Sequence, residues 1–303
     1  MTSHSRILFG ASFLFAILLF IASPCPATTV QIQGQHKFSL TTKPIAVAAS
    51  MDGKWIFALV DSGNVQIFSA DGQLAGSIPT NPGMDHITVA GGGLIGKPDT
   101  IILSSKQNSQ IQTIQVDFAV DIDTSSAPFL GKAEAPVVIT VFSDFQCPYC
   151  SKISAFLEPI LQQNPDNVKI AFKHFPLPSH NMAKQAAWAS MAAHQQGKFW
   201  EYHDQLFKNQ SSLNDKKLEE IAQGIAGLNL ERFKQDLGSL TIKDRVEKDA
   251  EEGRSIGVGG TPTIYVNGRA LKDRSPQGVQ ALIDEELISA GKGPQKAKQP
   301  RKK

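Results

Sequence analysis

Short apolar runs separated by turn residues fill the chain from about residue 30 to 120. Runs such as Trp55–Val60 and Val65–Phe68 lie between turn signals at Asp52-Gly53, Ser62-Gly63-Asn64 and Asp71-Gly72. Runs of this length between tight turns predict short β-strands. The Ile-Ala-Val-Ala of residues 45–48 recurs 42 positions later as the Ile-Thr-Val-Ala of residues 87–90, and a repeat of ~40–45 residues is typical of propeller blades. Two blades are too few to close a ring, so a plain antiparallel meander accounts for the pattern equally well.

The pattern changes after residue 134. Val137–Phe142 is a continuous apolar and β-branched run, which predicts a strand buried on both faces. Next come a helix at Ser151–Gln163, a second strand at Val168–Phe175 and a mostly helical block at residues 181–255. Two hairpin strands at Thr263–Val266 and Arg269–Leu271 and a last helix at residues 276–290 complete the pattern. Asn267-Gly268 is a strong turn signal between the two hairpin strands. This order predicts an α/β domain interrupted by a long helical insert.

The amino terminus has the pattern of a secretory signal peptide. Arg6 precedes an uncharged apolar run of 16 residues, Ile7–Ala22, and Ser23–Ala27 then supplies helix breakers and a small residue. Cleavage after Ala27 would remove Cys25 and leave two cysteines in the mature chain, and an uncleaved membrane anchor is the alternative. The expected division is a signal peptide at 1–27, a β-rich module at 28–120, a linker at 121–134, an α/β domain at 135–290 with its helical insertion at about 179–256, and a basic flexible tail at 291–303.

Composition excludes several classes of protein. Of 303 residues, 41 % are hydrophobic and 19 % are charged, which is ordinary for a globular chain and excludes bulk disorder and a polytopic membrane protein. The net charge of +2 gives no general attraction for nucleic acid, which is not expected as a partner of an exported protein. Three cysteines are too few for a disulfide-stapled scaffold.

The candidate chemistry lies at Cys147-Pro148-Tyr149-Cys150, between a buried strand and a helix. The unpaired amides of a first helical turn stabilise a thiolate at the first cysteine, and a thiolate is the species that attacks a disulfide. Cys150 follows one turn later, within reach of a mixed disulfide on Cys147. Pro148 suits the first helical turn because its missing N–H is not needed there. This arrangement predicts thiol–disulfide exchange.

Metal binding, haem attachment and a structural crosslink fit the cysteine pair less well. Zinc needs four ligands and the chain has no second cysteine pair, so no metal is expected. Covalent haem attachment needs a histidine where Ser151 stands, and no other cofactor is indicated. A purely structural disulfide remains an alternative, although so short a loop gives little stabilisation.

The combination of motifs resembles the DsbA-like thiol:disulfide oxidoreductases. The resemblance covers about 130–290 and includes Phe142–Cys150, Phe175-Pro176-Leu177, the helical insert and Gly260-Thr261-Pro262-Thr263. It implies a thioredoxin fold with a helical insertion, with Cys147 as the exposed nucleophile and Cys150 as the resolving thiol. It also implies that Pro262 is a cis-proline facing the cysteine pair and that Thr261 presents backbone groups to a substrate strand.

The chain departs from the family at two places. Val141 stands where many members have a buried acid that aids proton transfer. Asp144, three residues before Cys147, is a partial substitute or, as we favour, the cap of the active-site helix. Pro148-Tyr149 lacks the histidine of the strongest oxidants, which leaves the direction of electron flow open. One of His174 and His180 is a candidate for a place near the active site, although we favour capping or surface roles for both. His194 and His203 are expected on the surface or packed in the insert.

The expected function is therefore an enzyme of the periplasm or the secreted space that exchanges disulfides with unfolded or thiol-containing exported proteins. As an oxidase it would donate its own disulfide and be reoxidised by a membrane partner. The first alternative is an isomerase or reductase that dimerises through the β-rich module. The second is a chaperone-like binding protein with a secondary redox site.

Overall fold

Seven strands build the first part of the fold. The structure is a computed structural model that describes residues 36–91 and 98–291. The expected signal peptide with Cys25, and the tail from residue 292 onward, lie outside the described residues. One antiparallel sheet holds β1 (Pro44–Ala49), β2 (Trp55–Val60), β3 (Asn64–Ser69) and β4 (Leu74–Pro79), and a second holds β5 (His86–Gly91), β6 (Asp99–Ser105) and β7 (Gln110–Val116).

The two sheets share one apolar core because alternate residues of their strands face each other. Phe57 and Leu59 of β2 pack with Ile101 and Leu103 of β6, and all four are almost completely buried. Within each sheet the strands follow one another in sequence order, which is the meander topology. The recurring segments 45–48 and 87–90 lie in β1 and β5, the first strands of the two sheets, and these strands are in contact.

A five-stranded sheet forms the centre of the second part. Its strands are β8 (Phe129–Gly131), β9 (Val137–Ser143), β10 (Val168–His174), β11 (Thr263–Val266) and β12 (Arg269–Ala270), in the order β12-β11-β9-β10-β8. β9 and β10 are parallel and the other pairs are antiparallel. β9 is central and almost entirely buried, as its unbroken apolar sequence predicts. The turn at Asn267-Gly268 has positive φ at both residues, which is what a two-residue hairpin requires.

Seven helices complete the structure over the described residues. They are α1 (Pro148–Gln163), α2 (Ala183–His194), α3 (Phe199–Lys208), α4 (Asp215–Gly224), α5 (Leu230–Leu237), α6 (Leu240–Ser255) and α7 (Pro276–Ser289), with a 3₁₀ turn at Gln210–Ser212. α1 and α7 bury Leu157 and Ile283 against the central sheet. Helices α2 to α6 lie between β10 and β11 in the chain and pack around a core that also includes Phe145 and Phe172. The predicted fold class, an α/β domain with an inserted helical subdomain after an all-β module, is confirmed.

The segment expected as a linker contributes to the sheet. β8 lies within residues 121–134 and pairs with β10. The Asp123 N–H donates to Glu252 at 2.7 Å, and the Asp123 carbonyl accepts from Lys173 at 2.9 Å. The Lys173 ammonium is buried on β10 and also contacts Asp249 and Glu252 of α6, each at 2.6 Å. This segment is therefore held against the domain by a buried charge cluster.

Candidate active site

The junction of β9 and α1 positions the two cysteines. After β9 ends at Ser143, the chain turns so that the Cys147 N–H donates to the Asp144 carbonyl at 3.1 Å. Cys147 is the N-cap of α1 and Pro148 is the first helical residue, where a proline costs no hydrogen bond. Cys150 lies in the first turn, and its N–H donates to the Cys147 carbonyl at 3.0 Å. The spacing of the motif thus sets one thiol at the helix end and the other inside the first turn.

The loop before β11 closes the site from the other side. The Cys147 Sγ donates to the carbonyl oxygen of Thr261 at 3.3 Å. The Thr261–Pro262 peptide is cis, and the Pro262 carbonyl accepts from Arg274 at 3.1 Å. The structure therefore brings Cys147 together with the two loop residues expected to accompany it, although they are more than a hundred positions apart in the chain.

The expectation of an exposed Cys147 is wrong for this conformation. Cys147 is 4 % exposed and Cys150 is 2 % exposed, and both are free thiols. The Cys147 thiol lies under the Thr261 carbonyl, while the side-chain amide of Gln210 reaches over from the 3₁₀ turn and donates to the Cys147 carbonyl at 2.9 Å. Pro148 and Tyr149 are the exposed residues of the motif, and Tyr149 is 68 % exposed.

The environment of Cys150 keeps it protonated. Burial raises the pKa of the Cys150 thiol to about 12, and the Ser143 hydroxyl and the Asp144 backbone amide offset this only in part. A thiol of this kind carries almost no charge near neutral pH. Cys150 must therefore release a proton when it reacts as a nucleophile.

Asp144 does not cap the active-site helix, so that expectation is wrong. The N-cap is Cys147 and no side chain caps α1. The buried Asp144 carboxylate instead accepts from the backbone N–H groups of Gln146 at 2.7 Å and Leu177 at 2.8 Å, and it contacts the Nδ1 atom of His180 at 2.8 Å. It therefore joins the loop before the helix to the turn after β10.

The histidines occupy different environments. His174 is buried, and burial together with nearby cations lowers its pKa to about 3. It is therefore neutral and is not a surface residue. His180 is partly exposed beside Asp144. His203 is 2 % exposed and packs in the insert against several aromatic rings, which is one of the two roles expected for it.

A pocket behind the active site reaches Cys150. It has a volume of about 350 Å³ and lies between α1, α3 and the central sheet. Its polar lining comprises Ser143, Ser154, Glu158, Gln162, His203 and Asp204, and Val141 forms part of its apolar wall. Ser154 and His203 were not expected at the site. Ser154 could have been found, because it follows Cys150 by four residues and so lies on the same face of α1.

Comparison with known proteins identifies the family. Residues 123–285 match the profile of the family described as Thioredoxin, which is more than half of the chain. The chain belongs to this thioredoxin family. The match begins within the segment that precedes β8 and ends in α7, so it includes both cysteines and the cis-proline loop. The strands β1 to β7 lie outside it.

Individual relatives agree with this assignment. The probable disulfide bond formation protein D of Bacillus cereus is 31 % identical over 174 residues, which are 54 % of this chain and 80 % of that protein. The crystal structure of oxidised BdbD from Bacillus subtilis has a TM-score of 0.51 and 26 % identity, covering 57 % of this chain and 98 % of that chain. The resemblance to DsbA-like thiol:disulfide oxidoreductases and the expected thioredoxin fold are thereby confirmed.

Other relatives are much longer proteins. The Na(+)/H(+) antiporter NhaA 1 of Mycolicibacterium gilvum is 34 % identical over 175 residues, which are 57 % of this chain and 28 % of the antiporter. The chain thus spans little more than a quarter of the length of that relative. No helix within the described residues 36–91 and 98–291 is long and apolar enough to cross a membrane.

Proposed function

We propose that this protein is an exported thiol:disulfide oxidoreductase that exchanges disulfides with substrate proteins through Cys147 and Cys150. The observation that carries the proposal is the contact between the Cys147 Sγ and the Thr261 carbonyl at 3.3 Å, with Cys150 buried behind it. It puts the Cys147 sulfur beside the cis-proline loop, and Cys150 is also buried, in the first turn of α1. Membership of the thioredoxin family supports the same activity.

The reaction is a pair of balanced exchanges. A substrate thiolate attacks the Cys147 sulfur of the oxidised protein, the bond between Cys147 and Cys150 breaks, and Cys150 leaves with the electron pair and takes up a proton. A second substrate thiolate then attacks the substrate sulfur of the mixed disulfide and displaces Cys147. The substrate gains a disulfide and the protein becomes a dithiol. Because Cys147 is almost completely buried and its sulfur contacts the Thr261 carbonyl, the site must open before a substrate thiolate can reach that sulfur.

We favour the oxidase direction. The relative from Bacillus cereus, which is 31 % identical over 174 residues, is named as a probable disulfide bond formation protein. A separate oxidant, which we assign to a membrane redox partner, must then restore the disulfide. The expected substrates are unfolded or thiol-containing exported proteins.

The direct test is the oxidation of reduced, unfolded ribonuclease by the oxidised full-length protein. We expect ribonuclease activity to appear with stoichiometric loss of the disulfide between Cys147 and Cys150. Cys147→Ser should abolish the transfer, and Cys150→Ser should trap a mixed disulfide with the substrate. If Cys147→Ser retained full activity, the assignment of the nucleophile would be wrong.

An isomerase or reductase is the second candidate, and the β-rich module favours it. Large apolar side chains are exposed on this module, at Ile45 and Val47 of β1, Leu74 of β4 and Ile111 of β7. β4 and β7 are edge strands of their sheets, and exposed edges are normally covered or paired. Pairing of two modules would give a dimer with two active sites, which suits isomerisation.

Reactivation of scrambled ribonuclease, together with light scattering, separates the two candidates. An oxidase acts on reduced ribonuclease and requires no dimer. Efficient reactivation of the scrambled substrate by a dimer, lost when Val47→Lys yields a monomer, would favour the isomerase. Reactivation that survives Cys147→Ser would instead favour a chaperone-like binding role. For export, we expect amino-terminal sequencing of the secreted protein to begin at residue 28.

A further inference from the structure

Cys150 faces a pocket that contains ionisable groups from two elements. Ser154 follows it by one helical turn on α1, and His203 and Asp204 approach from α3. The Ser154 hydroxyl lies 3.5 Å from the Nε2 atom of His203. At about 350 Å³ the pocket is larger than the ~30 Å³ share of a water molecule, so it admits water between these polar groups and the thiol.

Asp204 determines which nitrogen of His203 carries the proton. Its carboxylate lies 2.8 Å from the Nδ1 atom of His203, and an ionised carboxylate only accepts hydrogen bonds. Nδ1 is therefore the donor in the neutral ring, and the Nε2 lone pair faces Ser154 and the pocket. The imidazole is thus oriented to take a proton from Ser154 or from water in the pocket that Cys150 also lines. The Asp204 side chain is 73 % exposed, so the far end of this route meets solvent.

Val141 stands where many family members have a buried acid and cannot accept a proton from Cys150, so another group must do so. Val141 lines the same pocket and offers no ionisable group. The Cys150 thiol is nonetheless deeply buried, and its raised pKa keeps it protonated at neutral pH. When it attacks a mixed disulfide, its proton must leave along a path of polar groups. The pocket between α1 and α3 brings such groups to this thiol, which also has the Ser143 and Thr261 side chains as polar neighbours.

We propose that His203, acting through Ser154 and pocket water, relays the proton that Cys150 releases and takes up during disulfide exchange. The inference rests on the proposed oxidoreductase function. In the resolving step, the Cys150 sulfur bonds to the Cys147 sulfur, the bond from Cys147 to the substrate sulfur breaks, and the substrate leaves as a thiolate. The proton of Cys150 passes to Nε2 of His203. In the opposite direction, the imidazolium returns this proton to the departing Cys150 sulfur.

His203 acts through another group and touches neither reacting sulfur, so its position must be distinguished from simple packing. It contacts the rings of Phe145 and Phe172 and those of Trp200 and Phe207. A packing role predicts that its loss weakens folding and slows both steps of exchange equally. A relay role predicts that the step requiring the Cys150 proton is slowed selectively.

The test is the reaction of the reduced full-length protein with oxidised glutathione, followed by rapid quench and intact mass spectrometry. Attack by Cys147 forms the glutathione adduct, and attack by Cys150 converts that adduct to the intramolecular disulfide. We expect His203→Gln and Ser154→Ala to slow the second step by about tenfold or more, in the range of general acid–base effects. The rate of the first step should be unchanged, so the adduct accumulates. His194→Gln is the matched control, because His194 is also in the insert and contacts Phe199 but does not line this pocket.

The pH dependence separates a relay from packing. Between pH 5 and 8, where histidines change charge, the wild-type rate of the second step should rise with pH and the His203→Gln rate should lose this dependence. Glu158, Asp204 and His174 also face His203, so Glu158→Gln is included to exclude that carboxylate as the source. Resolution at the wild-type rate in both His203→Gln and Ser154→Ala would overturn the relay. Should His203→Gln fold poorly, Ser154→Ala alone decides, and a wild-type protein that forms no adduct would instead refute the proposed function.

Discussion

The buried charge cluster at Lys173 offers a sharp test of the energetics of this fold. Lys173 is 2 % exposed and contacts Asp249 and Glu252 at 2.6 Å and the Asp123 carbonyl at 2.9 Å. Lys173→Met keeps most of the length and apolar volume of the side chain and removes its charge. We therefore expect the variant to report the loss of the ion pairs and not the creation of a cavity.

The magnitude follows from what the substitution leaves behind. Asp249 is 1 % exposed and would retain Arg245 at 3.2 Å and the backbone N–H of His174 at 3.1 Å. Removing one partner of a buried pair costs about 3–5 kcal/mol. Because Arg245 still compensates part of the charge, we expect the free energy of unfolding to fall by about 3 kcal/mol, at the lower end of that range.

The loss of stability in Lys173→Met should depend on pH in a defined direction. Burial raises the pKa of Asp249, and Lys173 and Arg245 lower it again in part. Without Lys173 the pKa of Asp249 must rise further. A carboxyl whose pKa is higher in the folded than in the unfolded chain destabilises the fold as the pH rises through that interval. The difference in the free energy of unfolding between variant and wild type should therefore become smaller as the pH falls from 7 to about 5 and Asp249 becomes protonated.

Urea unfolding followed by circular dichroism measures these differences by linear extrapolation. Lys169→Met is the matched control, since Lys169 lies on the same strand and its ammonium contacts the Ala133 carbonyl and the ring of Phe129 at the surface. The double variant Lys173→Met/Asp249→Asn should recover much of the lost stability. The reasoning is refuted if Lys173→Met costs no more than Lys169→Met, or if its penalty grows on acidification.

Three further predictions concern the site and its supports. In Cys147→Ser, the Cys150 thiol should be alkylated slowly at pH 8 and faster above pH 10, because burial raises the pKa of Cys150 to about 12. Mass spectrometry that locates the iodoacetamide adducts measures this, and fast labelling of Cys150 at pH 8 would contradict it. Gly253→Ala should lower the free energy of unfolding, measured in urea, by about 1–3 kcal/mol, since an added Cβ would lie 2.8 Å from the buried ring of Phe175. Gly224→Ala is the control, because its added Cβ meets nothing within 4 Å, and it should leave the free energy of unfolding nearly unchanged. Asp144→Ala should cost about 1–3 kcal/mol by leaving buried backbone N–H groups without an acceptor, and an unchanged thermal unfolding midpoint would show that these bonds are dispensable.

The features that the sequence predicted are those determined by neighbouring residues. The hairpin at Asn267-Gly268 follows from the positive φ of its two turn residues. β9 follows from an unbroken apolar run, and the start of α1 follows from Pro148 after the first cysteine. In each case the residues that specify the structure lie within a few positions of one another, so the pattern is visible without the fold.

The features that were missed depend on residues far apart in the chain. Lys173 and Asp249 are separated by four helices, and neither position differs in sequence from an ordinary surface charge. Asp144 has the right spacing for a helix cap, yet its carboxylate oxygens accept from Gln146 and from the turn at Leu177, which only the packed fold brings near. The hydrogen bond from the Gln210 amide to the Cys147 carbonyl joins the motif to the insert and cannot be inferred from the motif itself.

The docking of the segment before β8 has a practical consequence for dissecting this protein. The Val120 N–H donates to the Gly268 carbonyl at 2.9 Å, and Asp117 contacts Lys272 at 2.7 Å, so the connection runs along the surface of the redox domain from the end of β7. A fragment beginning at residue 135 would lack an edge strand and would leave the ammonium of Lys173 without one of its acceptors. A protease should accordingly find few cleavable bonds between residues 117 and 131. The smallest piece that folds by itself should begin near Asp117, and trimming further would remove part of the domain and not a tether.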